Sequence, residues 1–189
     1  TAVTLACGDE GVSDALLQRL GGHTFRPYRT TDVIGAQVGG AVKNVLAIAC
    51  GIVAGRELGD NASAALITRG IAEMTRFGQA LGAAPQTLIG LCGLGDLVLT
   101  CTSVASRNYS LGIALGRDVE LSKFLDNRNT VAEGMFSASA VVARAVQVGV
   151  EMPISAAVDG IVNRSESIDL AIEALLSRPF KVESEGGTN

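Results

Sequence analysis

Apolar residues are spaced for helices over most of this chain. From residue 33 onward they recur every three to four positions, and the spacing predicts helices over 33–55, 61–82, 107–115, 134–149, 154–162 and 167–177. Asp60, Ser106 and Thr130 are expected N-caps, because a short acceptor side chain can take the free N–H groups of a first turn. Gly82, Gly116 and Gly149 are the expected stops. Before residue 33 the texture differs: "AVTLAC" is a short apolar run, "EGVSDALLQRLGG" carries Val12, Ala15, Leu16 and Leu20 at helical spacing, and "TFRPYRTTD" is rich in Thr and aromatics. Strand, helix, strand in that order is one unit of an α/β sheet, ending near Asp32. Two strands and a helix cannot cover both faces of a sheet, so the rest of a larger α/β domain is expected upstream of the opening "TAVTLACGDEG". The expected fold class is mainly α, with a β-α-β unit over 1–32, a helical domain over 33–180, and a mobile tail over 181–189 that has nothing to bury.

Composition narrows the picture. With 48% hydrophobic residues among 189, a sizeable core is affordable. The net charge is −4 and the basic residues are scattered singly, so no electrostatic footprint exists for a nucleic-acid backbone or an anionic membrane. The longest apolar run, Val45 to Ala54 broken only by Gly51, is shorter than the roughly 20 residues a bilayer span needs, which predicts a core helix and no membrane span. Cys7, Cys50, Cys92 and Cys101 show no CxxC spacing and His23 is the only histidine, so no metal site is expected. Their apolar surroundings predict buried, reduced thiols in a cytoplasmic protein. "GLCGLGDL" lacks the third glycine of a dinucleotide fingerprint and follows no strand.

Candidate chemistry begins at "GGAVKN", because Lys43 is the only charged residue from Val42 to Ala54. At 100° per residue, Gly39, Gly40, Ala47, Cys50 and Ala54 fall within about 60° of Lys43 on the helix, with Leu46 the one large neighbour. Such a stripe lets a backbone or a ligand come close. Lys43 either lies along the surface with its ammonium in water, or sits in a partly desolvated pocket where loss of hydration fits it for general-base work, with Asn44 beside it to orient an oxygen. In the apolar, Gly-rich connection 88–108, "GLGDLVLT" brings Asp96 and Thr100 one turn apart if helical. Asp96 either caps a short helix, or accepts from a substrate hydroxyl or pairs with Lys43. Ser106, Arg107 and Asn108 open a helix; a hydroxyl, a guanidinium, an amide and free N–H groups suit a phosphate monoester, although Ser106 as an ordinary N-cap beside a solvated Arg107 reads equally well. Thr130-x-x-Glu133 matches a capping box, and Arg69, Glu73 and Arg76 read as an exposed ion-paired helix face.

"GGAVKNVLAIACGIVAG", "LGDNASAALITRGIAEMTRFG", "GLCGLGDLVLTCTSVASRN" and "VAEG", in that order and at these separations, closely resemble the C-terminal half of bacterial NAD(P)-dependent glycerol-3-phosphate dehydrogenase. The resemblance covers nearly everything from about 30 to 155, and residues 1–30 resemble the last strand, helix and strand of that family's Rossmann domain. It implies a helical fold like the C-terminal domain of 6-phosphogluconate dehydrogenase, and the interconversion of glycerol 3-phosphate and dihydroxyacetone phosphate with NAD or NADP, for phospholipid synthesis. Lys43 matches the proton acceptor; Asn44, Asp96, Thr100, Ser106, Arg107 and Asn108 match residues around the substrate, the last three around its phosphate. Arg107, Val131 and Glu133 match positions that reach the cofactor. A homodimer is expected, and the chain by itself is expected to be inactive for want of a complete dinucleotide site. The rival reading is a helical binding or dimerisation module without chemistry, against which stands the joint presence of Lys43, Asp96, Arg107 and Asn108.

Overall fold

The computed structural model describes residues 1–126 and 132–179. Strands β1 (Ala2–Ala6) and β2 (Arg26–Thr30) pair in parallel, with Ala2 opposite Arg26 and Ala6 opposite Thr30, and helix α1 (Glu10–Leu20) makes the crossover between them. Parallel pairing needs such a crossover, which is what the strand-helix-strand pattern predicts. Asp9 starts α1 by accepting from the Val12 N–H at 2.9 Å.

Among the described residues nine further helices follow: α2 (Val33–Gly55), α3 (Asp60–Ala80), α4 (Pro85–Leu88), α5 (Asp96–Cys101), α6 (Arg107–Gly116), α7 (Leu121–Asp126), α8 (Gly134–Gln147), α9 (Pro153–Arg164) and α10 (Ile168–Leu176). A single π turn, Leu91–Gly95, joins α4 to α5. The connection 88–108 is therefore largely helical, and α4 and α7 are additions to the predicted set.

Helix α2 is the axis of the domain. Every residue from Val45 to Ile52 is buried, and α3, α5, α6, α8 and α9 pack around it. A helix apolar on all sides must be enclosed in this way. Its 23 residues are long and apolar enough to cross a bilayer, more than the uninterrupted run suggests, but 67% of its apolar 18-residue window is buried inside the fold. Against α2 the core gathers Met74 of α3, Leu88 of α4, Leu97 of α5, Leu111 of α6 and Val158 of α9.

The tightest contact is the crossing of α2 and α6. A Cβ on Gly51 would overlap the Tyr109 carbonyl oxygen, and one on Gly112 would overlap the Ile48 carbonyl oxygen. One turn further on, Gly55 and Gly116 repeat the arrangement: a Cβ on Gly116 would lie 2.6 Å from the Ile52 oxygen. Glycine on both faces is what allows main chain to rest on main chain. Gly116 is therefore a packing residue and not the predicted stop: α6 ends through Asp118 at φ 58°, whose N–H reaches the Leu115 oxygen at 3.0 Å. Gly82 and Gly149, at φ 91° and 70°, do close α3 and α8 as expected.

Among the predicted caps, Ser106 accepts from the Tyr109 N–H at 3.3 Å. Asp60 does not cap: it is the first residue of α3, behind Gly59, with no side-chain bond to the turn. Thr130 lies outside the described residues, as does the tail from 180 onward. The exposed ion-paired face on α3 is half wrong. Arg69 and Arg76 are exposed, but Glu73 is 1% exposed and turns inward. There it accepts from the Ile154 N–H (2.7 Å), the Ser155 N–H (3.3 Å) and the Ser155 hydroxyl (3.2 Å), capping α9 from another helix. Loss of hydration raises the Glu73 pKa, and those three hydrogen bonds oppose the rise without cancelling it. Pro153 begins α9 without a side-chain cap of its own, which is why a distant carboxylate does the work.

Asp32 ties the strand unit to the helices. It caps α2 through the Gly35 N–H at 2.7 Å and reaches across to the Ala84 N–H at 2.8 Å. Desolvation pushes its pKa up, but the bonds from Gly35, Ala84 and Thr87 together outweigh it and leave the group below its ordinary value. A depressed carboxylate contributes stability above its unfolded pKa of about 3.9 and loses it as pH falls through the lower folded value. Asp32→Asn should thus lower the urea midpoint at pH 7, with the gap to wild type closing toward pH 3; a gap independent of pH would contradict this.

The cysteines divide. Cys50 and Cys101 are buried, whereas Cys7 and Cys92 are half-buried, because β1 and the π turn lie at the periphery of the core. A hydrogen bond with the Cys50 thiol, together with burial, pushes the Cys101 thiol far above its ordinary range. Cys101 is therefore no nucleophile at neutral pH.

Candidate active site

One turn N-terminal to the fully buried part of α2, the wall around the helix opens. The opening is a cavity of about 540 Å³ lined from α2 by Gly40, Lys43 and Asn44. Of the stripe of small residues, Gly39 meets protein: a Cβ there would overlap the Cys92 carbonyl oxygen, so the π turn lies directly on α2. Gly40 has open space beside it. The stripe thus serves both purposes its geometry allows, close backbone at one residue and room for a ligand at the next.

Lys43 does not snorkel. Its side chain is 21% exposed and its ammonium is ion-paired with the Asp96 carboxylate, itself 35% exposed. Asp96 is the first residue of α5 and makes no capping bond, so the capping alternative fails and the pairing alternative holds. The π turn explains its position: one extra residue per turn shifts α5 so that its start faces α2. Thr100 sits one turn on, as its spacing predicts, and its hydroxyl donates to the Asp96 carbonyl oxygen at 2.6 Å.

The opposite wall is the start of α6, where Ser106, Arg107 and Asn108 line the same cavity. The free N–H groups of that first turn give it partial positive charge. Asn108 is 7% exposed, and its Oδ1 accepts from the Gly134 N–H at 2.9 Å, which leaves Nδ2 as its donor. Arg107 is half-exposed and its Nη2 lies 3.3 Å from Glu133 Oε1.

Glu133 departs from the capping-box reading. Helix α8 begins only at Gly134, so Glu133 precedes the helix, makes no capping bond among the described residues, and turns its carboxylate to Arg107. Val131 lies outside the described residues. Every other predicted site residue either lines the cavity or, as Asp96 does, is paired with one that does. Leu99, Ser103 and Ala105 also line it and went unnamed. The signal for them was the apolar, Gly-rich character of 88–108, which marks the segment without marking its residues. Among the described residues no group of three His, Cys, Asp or Glu could hold a metal ion.

A helical domain thus presents an ammonium–carboxylate pair and a helix start on one cavity. Residues 32–173 match the family described as NAD-dependent glycerol-3-phosphate dehydrogenase C-terminus, and the chain belongs to that family. It is 60% identical over 183 residues to a glycerol-3-phosphate dehydrogenase (NAD(P)+) of Rhodospirillum rubrum, covering 97% of this chain and 52% of that protein. A Parvibaculum lavamentivorans protein of the same name is 59% identical over 184 residues, covering 97% of this chain and 55% of its own length. The crystal structure of glycerol-3-phosphate dehydrogenase from Coxiella burnetii superposes with a TM-score of 0.90 at 44% identity, covering 94% of this chain and 55% of that one. The chain therefore spans about half the length of the relatives it matches.

Proposed function

We propose that this chain supplies the substrate-holding and proton-transferring half of an oxidoreductase that interconverts glycerol 3-phosphate and dihydroxyacetone phosphate with a nicotinamide cofactor. The observation that carries the reading is that Lys43, paired with Asp96, and the N-terminal turn of α6 open onto one cavity. In the reducing direction, the Lys43 ammonium donates a proton to the C2 carbonyl oxygen as that carbon gains hydride. In the oxidising direction, the neutral amine takes the proton of the C2 hydroxyl. Asp96 holds the ammonium at the cavity wall, Thr100 steadies Asp96 through its carbonyl, and Asn44 is placed to orient a substrate oxygen. The phosphate, held by Ser106, the Arg107 guanidinium and the Asn108 amide, anchors the substrate away from the reacting carbon, so binding energy is used for positioning.

The residues present fit the edge of a nicotinamide dinucleotide. At the half-exposed rim, Arg107 offers guanidinium donors and Glu133 a carboxylate acceptor, a set suited to cofactor phosphates and hydroxyls. When bound, that group supplies or accepts the hydride. Residues 1–32 would belong with the dinucleotide-binding half, residues 33–180 with the substrate. The proposal extends to a cytoplasmic homodimer: four free cysteines suit a reducing compartment, and Leu170 and Leu176 on α10 are exposed apolar side chains available to a second copy.

Calorimetric titration with glycerol 3-phosphate tests the binding half of the reading. Arg107→Ala should weaken binding about tenfold to a hundredfold, the worth of one charged hydrogen-bonding group. Equal affinity in wild type and variant would remove the phosphate from this helix start.

A further inference from the structure

The contact between Arg107 and Glu133 is not needed for the fold. Both side chains are half-exposed or more, at 49% and 68%, and the bond is a single one at 3.3 Å. The start of α8 is already held to α6 by the buried Asn108 Oδ1 on the Gly134 N–H. Two consecutive residues of α6 thus grip two consecutive residues at the start of α8, one pair buried and neutral, the other exposed and charged. The buried pair fixes the backbone. The charged pair does something else.

Glu133 lines the same cavity as Ser106, Arg107 and Asn108. Its carboxylate is the one acidic side chain on that wall among the described lining residues, and it faces the guanidinium that an incoming phosphate would use. We propose that Glu133 is a built-in competitor for Arg107: its carboxylate stands where a ligand anion binds, and phosphate must displace it. The inference rests on the reading of the α6 start as a phosphate site, and adds to it a residue that sets the affinity. Chemically the exchange is simple. A monoanionic, monodentate carboxylate on a half-exposed guanidinium yields to a dianion that also meets the N–H groups, Ser106 and Asn108. The displaced carboxylate is then free to accept from a neutral hydroxyl or amide. Because the Gly134 N–H stays on Asn108, Glu133 can turn away without moving the helix behind it.

The same titration, run with glycerol 3-phosphate and with inorganic phosphate on wild type, Glu133→Gln, Arg107→Ala and the double variant, decides the matter. Glu133→Gln keeps the size of the side chain and removes its charge. It should tighten both ligands roughly twofold to fivefold, the scale of an exposed ion pair, and should do so only where Arg107 is present. Equal tightening in the Arg107→Ala background would reduce Glu133 to a distant charge, and unchanged or weaker binding in the wild-type background would overturn the competition outright. If neither wild type nor Glu133→Gln bound either ligand, the phosphate site itself would fall and take this inference with it; normal binding without a Glu133 effect would leave that site standing.

Discussion

In an enzyme carrying both halves, Lys43→Ala is expected to lower kcat by about 10²- to 10⁴-fold, the usual contribution of a positioned proton donor or acceptor. The KM for the phosphorylated substrate should change far less, because the α6 start that would hold the phosphate is built on another helix. Added methylamine should restore part of the lost rate, since a primary amine in the vacated space can carry the same proton. Loss of binding with kcat preserved would make Lys43 an anchor and not a proton carrier. The ion pair with Asp96 sharpens the expectation: it is the ammonium that is stationed at the cavity, the form that gives a proton to a carbonyl oxygen.

Gly112→Val is expected to cost about 3 kcal/mol or more, because the new side chain meets the Ile48 carbonyl and the backbone of Gly51, neither of which can move without opening the α2–α6 crossing. Gly40→Ala gives the contrast. A Cβ there meets nothing within 4 Å, so the helix should gain about 0.5–1 kcal/mol from the lost backbone freedom of glycine. Urea unfolding of the two variants reads both effects, and similar midpoints would refute the account of the crossing.

These residues also show how far a sequence can be read. The spacing of apolar positions located α2, α3, α6, α8, α9 and α10, and the strand-helix-strand opening, because each turns apolar side chains toward a neighbouring element and period records that pattern. It did not reveal α4, the π turn, α5 or α7, since short helices carry too few turns to show a period. Nor did it separate the two duties of glycine. Gly116 stands where a stop would stand, yet its role is set by Ile52, a residue 64 positions away. Glu73 misled for a related reason: spacing from Arg69 and Arg76 reports neighbours on one helix, whereas its partners, Ile154 and Ser155, come from another. The candidate site was more legible than the fold around it. Lys43 was conspicuous as a lone charge among hydrocarbon, and Ser106, Arg107 and Asn108 are consecutive. Choosing between pairing and capping for Asp96, or between capping box and Arg107 for Glu133, required the distances.

The glycine crossing has a consequence for what can be bound. Lys43 lies eight residues along α2 from Gly51, about 12 Å, and Arg107 lies five residues along α6 from Gly112, about 7.5 Å. The two helices act as the arms of a caliper whose pivot is main chain against main chain. In a pivot made of leucines, rotamer changes would introduce play; here there is no side chain to supply it. The gap between the arms is gauged by the backbone, so a substrate held as proposed would be measured by the distance between its anion and its reacting oxygen before any side chain inspects it.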